Sequence, residues 1–96
     1  MSVKKINLKT YKITVTGIVQ GVGFRPFIFR LATKHNFMGS VTNTTEGVHI
    51  FINIAYCDKV NIFISAIKSG KPPASHIENI EVAEIPFKDF NGFTIE

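Results

Sequence analysis

Residues 17–31 read GIVQGVGFRPFIFRL, and the rest of the chain is organised around this stretch. The segment before it places Tyr11, Ile13 and Val15 in one phase, as in a half-buried strand. From Phe24 onward, apolar residues recur with helical spacing along one stripe: Phe24, Phe27, Ile28, Leu31 and Ala32. The pattern therefore predicts a strand over about 11–17, a glycine-rich turn, and a helix over about 23–35.

The predicted turn holds glycines at positions 17, 21 and 23, followed closely by Arg25 and Pro26. Pro26 suits the first helical turn, where a missing N–H costs nothing. Unpaired N–H groups at the positive end of a helix form an anion site, and a guanidinium adds a planar charge that fits phosphate. The stretch predicts an anion cradle, but a tight turn with a solvated Arg25 is equally compatible with these residues.

The charge pattern favours an anionic ligand over a nucleic acid. The net charge is +4, and the first acidic residue is Glu46, so the half of the chain with the glycine turn is basic. Residues 21–24, GVGF, resemble the core of an RNA-recognition strand, but proline at position 26 cannot occupy a central strand. No dense basic run or set of stacking aromatics supports nucleic-acid binding.

Length and composition predict one small domain without a metal, a cofactor or a membrane partner. The 96 residues contain one cysteine, Cys57, which excludes an internal disulfide and fits a reducing, cytoplasmic location. The three histidines, His35, His49 and His76, lack metal-ligand spacing. No apolar run reaches transmembrane length.

The rest of the chain predicts a sandwich of one sheet and two helices. Residues 1–10 are expected to form a poorly ordered lead-in and residues 11–96 the domain. After the first helix, the predicted elements are a strand at 39–44, a turn at 45–47, a strand at 48–54, a helix from 57 to just before Gly70, and strands at 77–87 and 93–95.

This order is βαββαβ with one more strand, which predicts an α+β, ferredoxin-like fold. We expect an antiparallel sheet with both helices on one face and a short fifth strand. Because Ile85 is out of phase with Ile80 and Val82, we also expect a bulge in the fourth strand.

The second strand contains an asparagine, Asn43, a residue type that strands disfavour. In a split βαβ fold the first and third strands are neighbours, so the glycine turn comes near the second strand and its hairpin. The polar candidates there are Thr42, Asn43 and Thr44. From these residues alone, Asn43 either belongs to a catalytic site or only shapes the hairpin turn.

Two motifs resemble the signatures of the acylphosphatase superfamily. The first is GIVQGVGFR at 17–25, and the second is the pattern G-x-V-x-N-x-x-x-G at 39–47. The extension RPFIFRLA at 25–32, with PPA at 72–74, is similar to the N-terminal acylphosphatase-like domain of the HypF family, the carbamoyltransferases of nickel–iron hydrogenase maturation.

This resemblance implies hydrolysis of acyl phosphates, with carbamoyl phosphate as the natural substrate. It implies that Asn43 orients the attacking water, with Thr44 as a supporting residue. It implies that phosphate, or sulfate in its place, is held by the Arg25 guanidinium and by main-chain amides of Gln20, Gly21, Val22, Gly23, Phe24 and Arg25. The proton acceptor would be the substrate's phosphate, Glu46 or bulk water, and we favour the substrate.

The resemblance leaves three functions open. The chain is an acylphosphatase domain excised from a larger maturation protein, whose other domains would be its partners; a non-catalytic module that holds carbamoyl phosphate or a partner domain; or a free-standing acylphosphatase. Ser40, Thr42 and His49 depart from the usual pattern of free-standing enzymes, which bears on hydrolytic efficiency. The other HypF domains cannot fit within 96 residues.

Overall fold

The computed structural model describes residues 8–96, so the lead-in predicted for residues 1–10 lies mostly outside the described residues. The elements follow in the order β1 (Lys9–Ile18), α1 (Phe24–Lys34), β2 (Met38–Thr44), β3 (Gly47–Ile54), α2 (Asp58–Gly70), β4 (His76–Ile85) and β5 (Phe93–Ile95). This order confirms the predicted ferredoxin-like arrangement with a short fifth strand.

All five of these strands form one sheet in the order β4-β1-β3-β2-β5. The four longer strands are antiparallel, and β1 lies beside β3 as expected. β5 pairs with β2 in parallel, with Gly39 opposite Phe93, so the sheet is mixed at this edge. The parallel pairing follows from the topology, because β4 ends at the end of the sheet where β2 begins, and β5 then runs in the same direction as β2.

Both helices cover one face of the sheet, and the core lies between the two layers. The buried apolar side chains of the strands are Ile13, Val15, Val41, Val48, Ile50, Ile52 and Ile54, and those of the helices are Phe24, Ile28, Ala32, Val60, Phe63 and Ile67. Full burial of a side chain such as Phe24 stabilises the fold by about 1.5–3 kcal/mol. The apolar stripe predicted for α1 therefore faces the core.

β1 begins at Lys9, earlier than predicted, and so includes the end of the predicted lead-in. Thr10 is fully buried, and its hydroxyl donates to Oδ1 of Asn53 and accepts from the N–H of Lys88 at 2.9 Å. Asn53 in turn donates to the Lys88 carbonyl at 2.8 Å. These bonds satisfy the hydroxyl of Thr10 and so allow it to be buried. The alternation of apolar residues along the chain gave no indication that this polar side chain would be buried.

β4 contains a bulge, as expected, but the bulge lies at Glu78 and is not the cause of the different phase of Ile85. The β1–β4 pairing is regular over the rest of β4 and skips Glu78 where Gly17 lies opposite Ile77. A Cβ on Gly17 would lie 2.1 Å from the carbonyl oxygen of His76, so the absence of a side chain permits this close approach. Ile85 keeps the regular register, and its different phase places it on the sheet face that the helices leave uncovered.

The ends of two elements also differ from the prediction. β4 ends at Ile85 and not at Phe87, because Pro86 has no N–H to donate to the sheet. α2 includes Gly70, and Lys71 then leaves the helical region with a ψ of 150°, as expected for a residue before proline. Within residues 8–96, no helix is both long and apolar enough to cross a membrane.

Candidate active site

The turn from residue 20 to residue 25, here called the cradle, presents free main-chain donors at the start of α1. Gly21 and Gly23 have φ values of 74° and 81°, in the left-handed region that glycine adopts without strain. Gly23 is also the N-cap of α1 and has no side chain to cap it. Within residues 8–96, no main-chain carbonyl accepts a hydrogen bond from an N–H of the cradle. Such a run of donors at a helix N-terminus suits an anion.

The electrostatics at this helix end also favour an anion. No acidic side chain lies in the first turn of α1, so the positive end of the helix dipole is not neutralised there. Arg25 is half-buried, and its Nη1 donates to the main-chain carbonyl of Glu96 at 3.4 Å. A guanidinium has five N–H donors, so this contact leaves donors for the oxygens of a ligand.

Two apolar residues anchor the cradle to the core. Phe24 is 1% exposed, and its ring meets that of Phe27 edge to face with centroids 5.8 Å apart. Val22 is half-buried against the same core. Packing therefore fixes the shape of the cradle, and a site that is already formed loses less entropy when a ligand binds.

Asn43 lies on the helix-side face of β2, in phase with buried Val41 and opposite Val48. Its Oδ1 is buried and accepts no hydrogen bond, and it is the only such side-chain atom within residues 8–96. An unpartnered buried acceptor costs about 1–3 kcal/mol, and a donor such as a water O–H would remove that cost. Asn43 therefore has the chemistry to orient a water molecule.

Gln20 joins the cradle to the β2–β3 hairpin through its side chain. Its Nε2 donates to the carbonyl oxygens of Thr44 at 2.7 Å and Gly47 at 3.2 Å. The motif predicted a role for the main-chain N–H of Gln20, and it contained no signal for these side-chain bonds. They bring the cradle against the residue that follows Asn43, so the two predicted halves of the site lie at the same end of the sheet.

Thr44, the predicted supporting residue, directs its hydroxyl into the hairpin turn. The hydroxyl donates to the Gly47 carbonyl at 3.0 Å and accepts from the N–H of Glu46 at 3.1 Å. The Glu46 carboxylate lies 2.9 Å from Nε2 of His49, whose side chain is on the sheet face away from the helices. Glu46 is therefore engaged on the opposite face from Asn43.

The other candidates from the sequence lie outside this site. His35 stacks on Phe37 with ring centroids 5.4 Å apart, while His76 and Cys57 are exposed. Within the part of the chain that the structure describes, no group of three or more His, Cys, Asp or Glu residues could hold a metal ion.

Two surface cavities lie away from the cradle. One, of about 370 Å³, is bounded by Lys12, Thr14 and Glu81. Another, of about 390 Å³, lies between Lys68, Lys71 and β4. Residues 20–25 line neither of these two cavities.

Comparison with known proteins places these features in a family. The acylphosphatase family model matches residues 11–95. A probable carbamoyltransferase HypF of Methanocaldococcus jannaschii is 42% identical over 85 residues, which are 88% of this chain and 11% of that protein. An acylphosphatase of Staphylococcus haemolyticus is 39% identical over 87 residues, which are 90% of this chain and 97% of that enzyme. A full-length HypF solved with phosphate and nucleotide bound matches with a TM-score of 0.86 and 36% identity, over 97% of this chain and 12% of that one.

These similarities confirm the resemblance that the two sequence motifs indicated. The chain is close both to a domain of HypF proteins and to free-standing acylphosphatases. It spans 11% and 12% of the length of the two HypF proteins named here and nearly the whole of the free-standing enzyme. The chain therefore belongs to the acylphosphatase family and is an acylphosphatase domain.

Proposed function

We propose that the cradle binds the phosphate of an acyl phosphate, that Asn43 orients the water that hydrolyses it, and that carbamoyl phosphate is the natural substrate. The observation that carries this proposal is the run of cradle N–H groups without main-chain partners in residues 8–96, at the positive end of α1 beside Arg25. A phosphate can accept several such bonds at once. The HypF relatives are named carbamoyltransferases, which favours carbamoyl phosphate as the natural substrate.

Hydrolysis of an acyl phosphate requires mainly that the protein orients the water and stabilises negative charge. An acyl phosphate is an activated anhydride, so orientation of the water and stabilisation of developing charge supply much of the acceleration. The cradle and Arg25 stabilise the phosphate charge while the oxygen of the water bonds to phosphorus and the bond between phosphorus and the bridging oxygen breaks, so that the bridging oxygen leaves with the acyl group. Water supplies one oxygen and two protons to the products, which are inorganic phosphate and a carboxylic acid, carbamic acid in the case of carbamoyl phosphate.

The proton that leaves the attacking water passes to the substrate's own phosphate. A guanidinium such as that of Arg25 stays protonated at neutral pH, and the amide of Asn43 is not a base. Glu46 is bonded to His49 at 2.9 Å on the other face of the hairpin, so its carboxylate is directed away from the water. Of the two remaining acceptors, bulk water and the phosphate oxygens, we favour the phosphate oxygens, because they belong to the bound substrate.

In this proposal the domain belongs to a hydrogenase-maturation carbamoyltransferase in the cytoplasm, and the other domains of that protein are its partners. The chain matches only 11% of the length of the HypF relative from Methanocaldococcus jannaschii, which supports the view that it is a piece of a larger protein. The exposed, unpaired thiol of Cys57 suits a reducing compartment. Nucleic acid and membrane have no part in the proposal. A free-standing acylphosphatase is the second candidate, because the Staphylococcus haemolyticus enzyme matches over 97% of its length.

Phosphate-release assays on the purified domain, with carbamoyl and acetyl phosphate in parallel, test the proposal. Asn43→Ala should lower kcat by about a hundredfold or more, as expected for loss of a positioned polar group. The phosphate Kd should change by only a few-fold, because the anion contacts belong to the cradle. Asn61→Ala is the matched control, since Asn61 is an exposed amide on α2, and its kcat should equal that of the unsubstituted protein.

Each other result has a definite meaning. Full activity in a folded Asn43→Ala protein would end the role of Asn43. Phosphate binding without turnover of either substrate would leave the non-catalytic module as the function. A kcat/KM for carbamoyl phosphate no higher than that for acetyl phosphate would favour the free-standing enzyme.

A further inference from the structure

We propose that the side chain of Gln20 is a positioning residue, which sets the place of Asn43 relative to the cradle and so contributes to turnover more than to anion binding. This inference rests on the proposed function, because it assigns how the two halves of that site are held in register. The main-chain N–H of Gln20 remains part of the cradle.

The sheet order shows why such a link is needed. β1 leads into the cradle and β2 carries Asn43, but β3 lies between them. The path through the sheet from cradle to Asn43 therefore crosses two strand pairs. The side chain of Gln20 bypasses that path with the only side-chain hydrogen bonds between the cradle and the β2–β3 hairpin within residues 8–96.

The hydrogen-bonding groups match at this contact. An amide nitrogen has two N–H donors, and Nε2 of Gln20 meets two carbonyl acceptors, at 2.7 Å on Thr44 and 3.2 Å on Gly47. The Gly47 carbonyl also accepts from the Thr44 hydroxyl at 3.0 Å, so both sides of the hairpin turn are fixed. The shorter bond holds the residue that directly follows Asn43.

Asn43 depends on this external support. Its side chain makes no hydrogen bond within residues 8–96, so the position of its amide follows from the main chain of β2 and from packing. A displacement of about 1 Å at a reacting centre can cost about a hundredfold in rate. The bonds of Gln20 hold the end of β2 against the cradle, so we expect them to affect the hydrolytic step, in which Asn43 orients the water.

A double-mutant cycle on kcat tests this inference. Gln20→Ala should lower kcat by about tenfold or more and leave the phosphate Kd within about threefold. In the Asn43→Ala background, Gln20→Ala should lower kcat by less than about twofold. A change of that size is no larger than the error with which the effects of independent substitutions add. An equal kcat loss in both backgrounds, or a phosphate Kd weakened by the same factor as kcat, would overturn the proposal.

A charge variant gives a second measure on the same contact. Gln20→Glu keeps the length of the side chain but sets a carboxylate against two carbonyl oxygens, so its kcat should be no higher than that of Gln20→Ala. A kcat for Gln20→Glu equal to that of the unsubstituted protein would contradict the link. Gln20 is exposed, so neither change removes core packing, and thermal unfolding of each variant checks the folded fraction.

Failure of the proposed function is separable from failure of this inference. If the unsubstituted protein hydrolyses neither acyl phosphate, the proposed function is wrong. The link between Gln20 and the hairpin is then tested by an NMR titration with inorganic phosphate. The side-chain amide resonance of Asn43 should then shift on phosphate addition in the unsubstituted protein and shift less in Gln20→Ala. Equal shifts in the two proteins would overturn the link.

Discussion

Arg25 and Arg30 carry the same charge on the same helix but differ in direction. Arg25 lies in the first turn of α1, and its guanidinium contacts the Glu96 carbonyl at 3.4 Å. Arg30 comes five residues later, roughly 500° around the helix at about 100° per residue. It borders a surface cavity with Phe27 and Leu31 and is exposed. Substitution of each arginine in turn therefore distinguishes a specific role of Arg25 from a general effect of positive charge.

Arg25→Ala should weaken phosphate binding by about ten- to a hundredfold, because hydrogen bonds to charged groups contribute about 1.5–3 kcal/mol. Turnover of acetyl phosphate should fall with it. Arg30→Ala should change neither quantity by more than about twofold, since salt screens an exposed charge that points away. Titration calorimetry and phosphate release measure both effects, and equal losses in the two variants would show that only net charge matters.

At the element scale, the spacing of β2 and β3 depends on Gly39. A Cβ at this position would lie 1.7 Å from the carbonyl oxygen of Phe51, inside the main chain of the neighbouring strand. Gly92, just before β5, has a φ of 82° and open space within 4 Å. Gly39 shares a sequence motif with Asn43, yet its physical role is to let two strands approach.

Gly39→Ala should lower the free energy of unfolding by about 3 kcal/mol, at the upper end of the usual range for point substitutions, because the main chain of β3 must move. Gly92→Ala should lower it by about 1–2 kcal/mol, the cost of a left-handed conformation alone. Urea denaturation of the two variants measures both. Equal losses of unfolding free energy in the two variants would mean that β3 moves away from Gly39 at little cost, contrary to the close approach of the two strands.

At the scale of the whole molecule, the site exists only in the folded sheet. The cradle lies between β1 and α1, Gln20 reaches the β2–β3 hairpin, and Arg25 reaches the residue after β5. A ligand that needs all of these elements binds the native state and not the unfolded chain. Its binding free energy therefore adds to the stability of the domain.

Phosphate should accordingly raise the melting temperature. At a hundred times its Kd it adds about 2.7 kcal/mol, and for a domain of this size that corresponds to a rise of about 10–20 °C. Differential scanning calorimetry measures the shift, with chloride at matched ionic strength as the control. A melting temperature that phosphate leaves unchanged would count against the cradle, and Arg25→Ala should reduce the shift.

Much of the fold and the outline of the site could be predicted from short-range patterns. The alternation through Ile13 and Val15 and the helical spacing from Phe24 to Ala32 indicate which face of each element is buried. The positions of β5 and of the bulge at Glu78 were not predictable in this way, because each depends on which distant strand lies alongside. The predicted roles of Arg25 and Asn43 in binding and catalysis remain predictions.

The order of amino acids alone specified the helices and strands, the glycine turn and the family motifs, since these depend on neighbours a few residues apart. The folded arrangement decided the partners: Gln20 with the hairpin carbonyls of Thr44 and Gly47, and Glu46 with His49. It also left Oδ1 of Asn43 buried without a donor in residues 8–96. A hydrogen bond needs atoms within about 3 Å of each other, and for contacts such as those of Gln20 that distance is set by how whole strands pair.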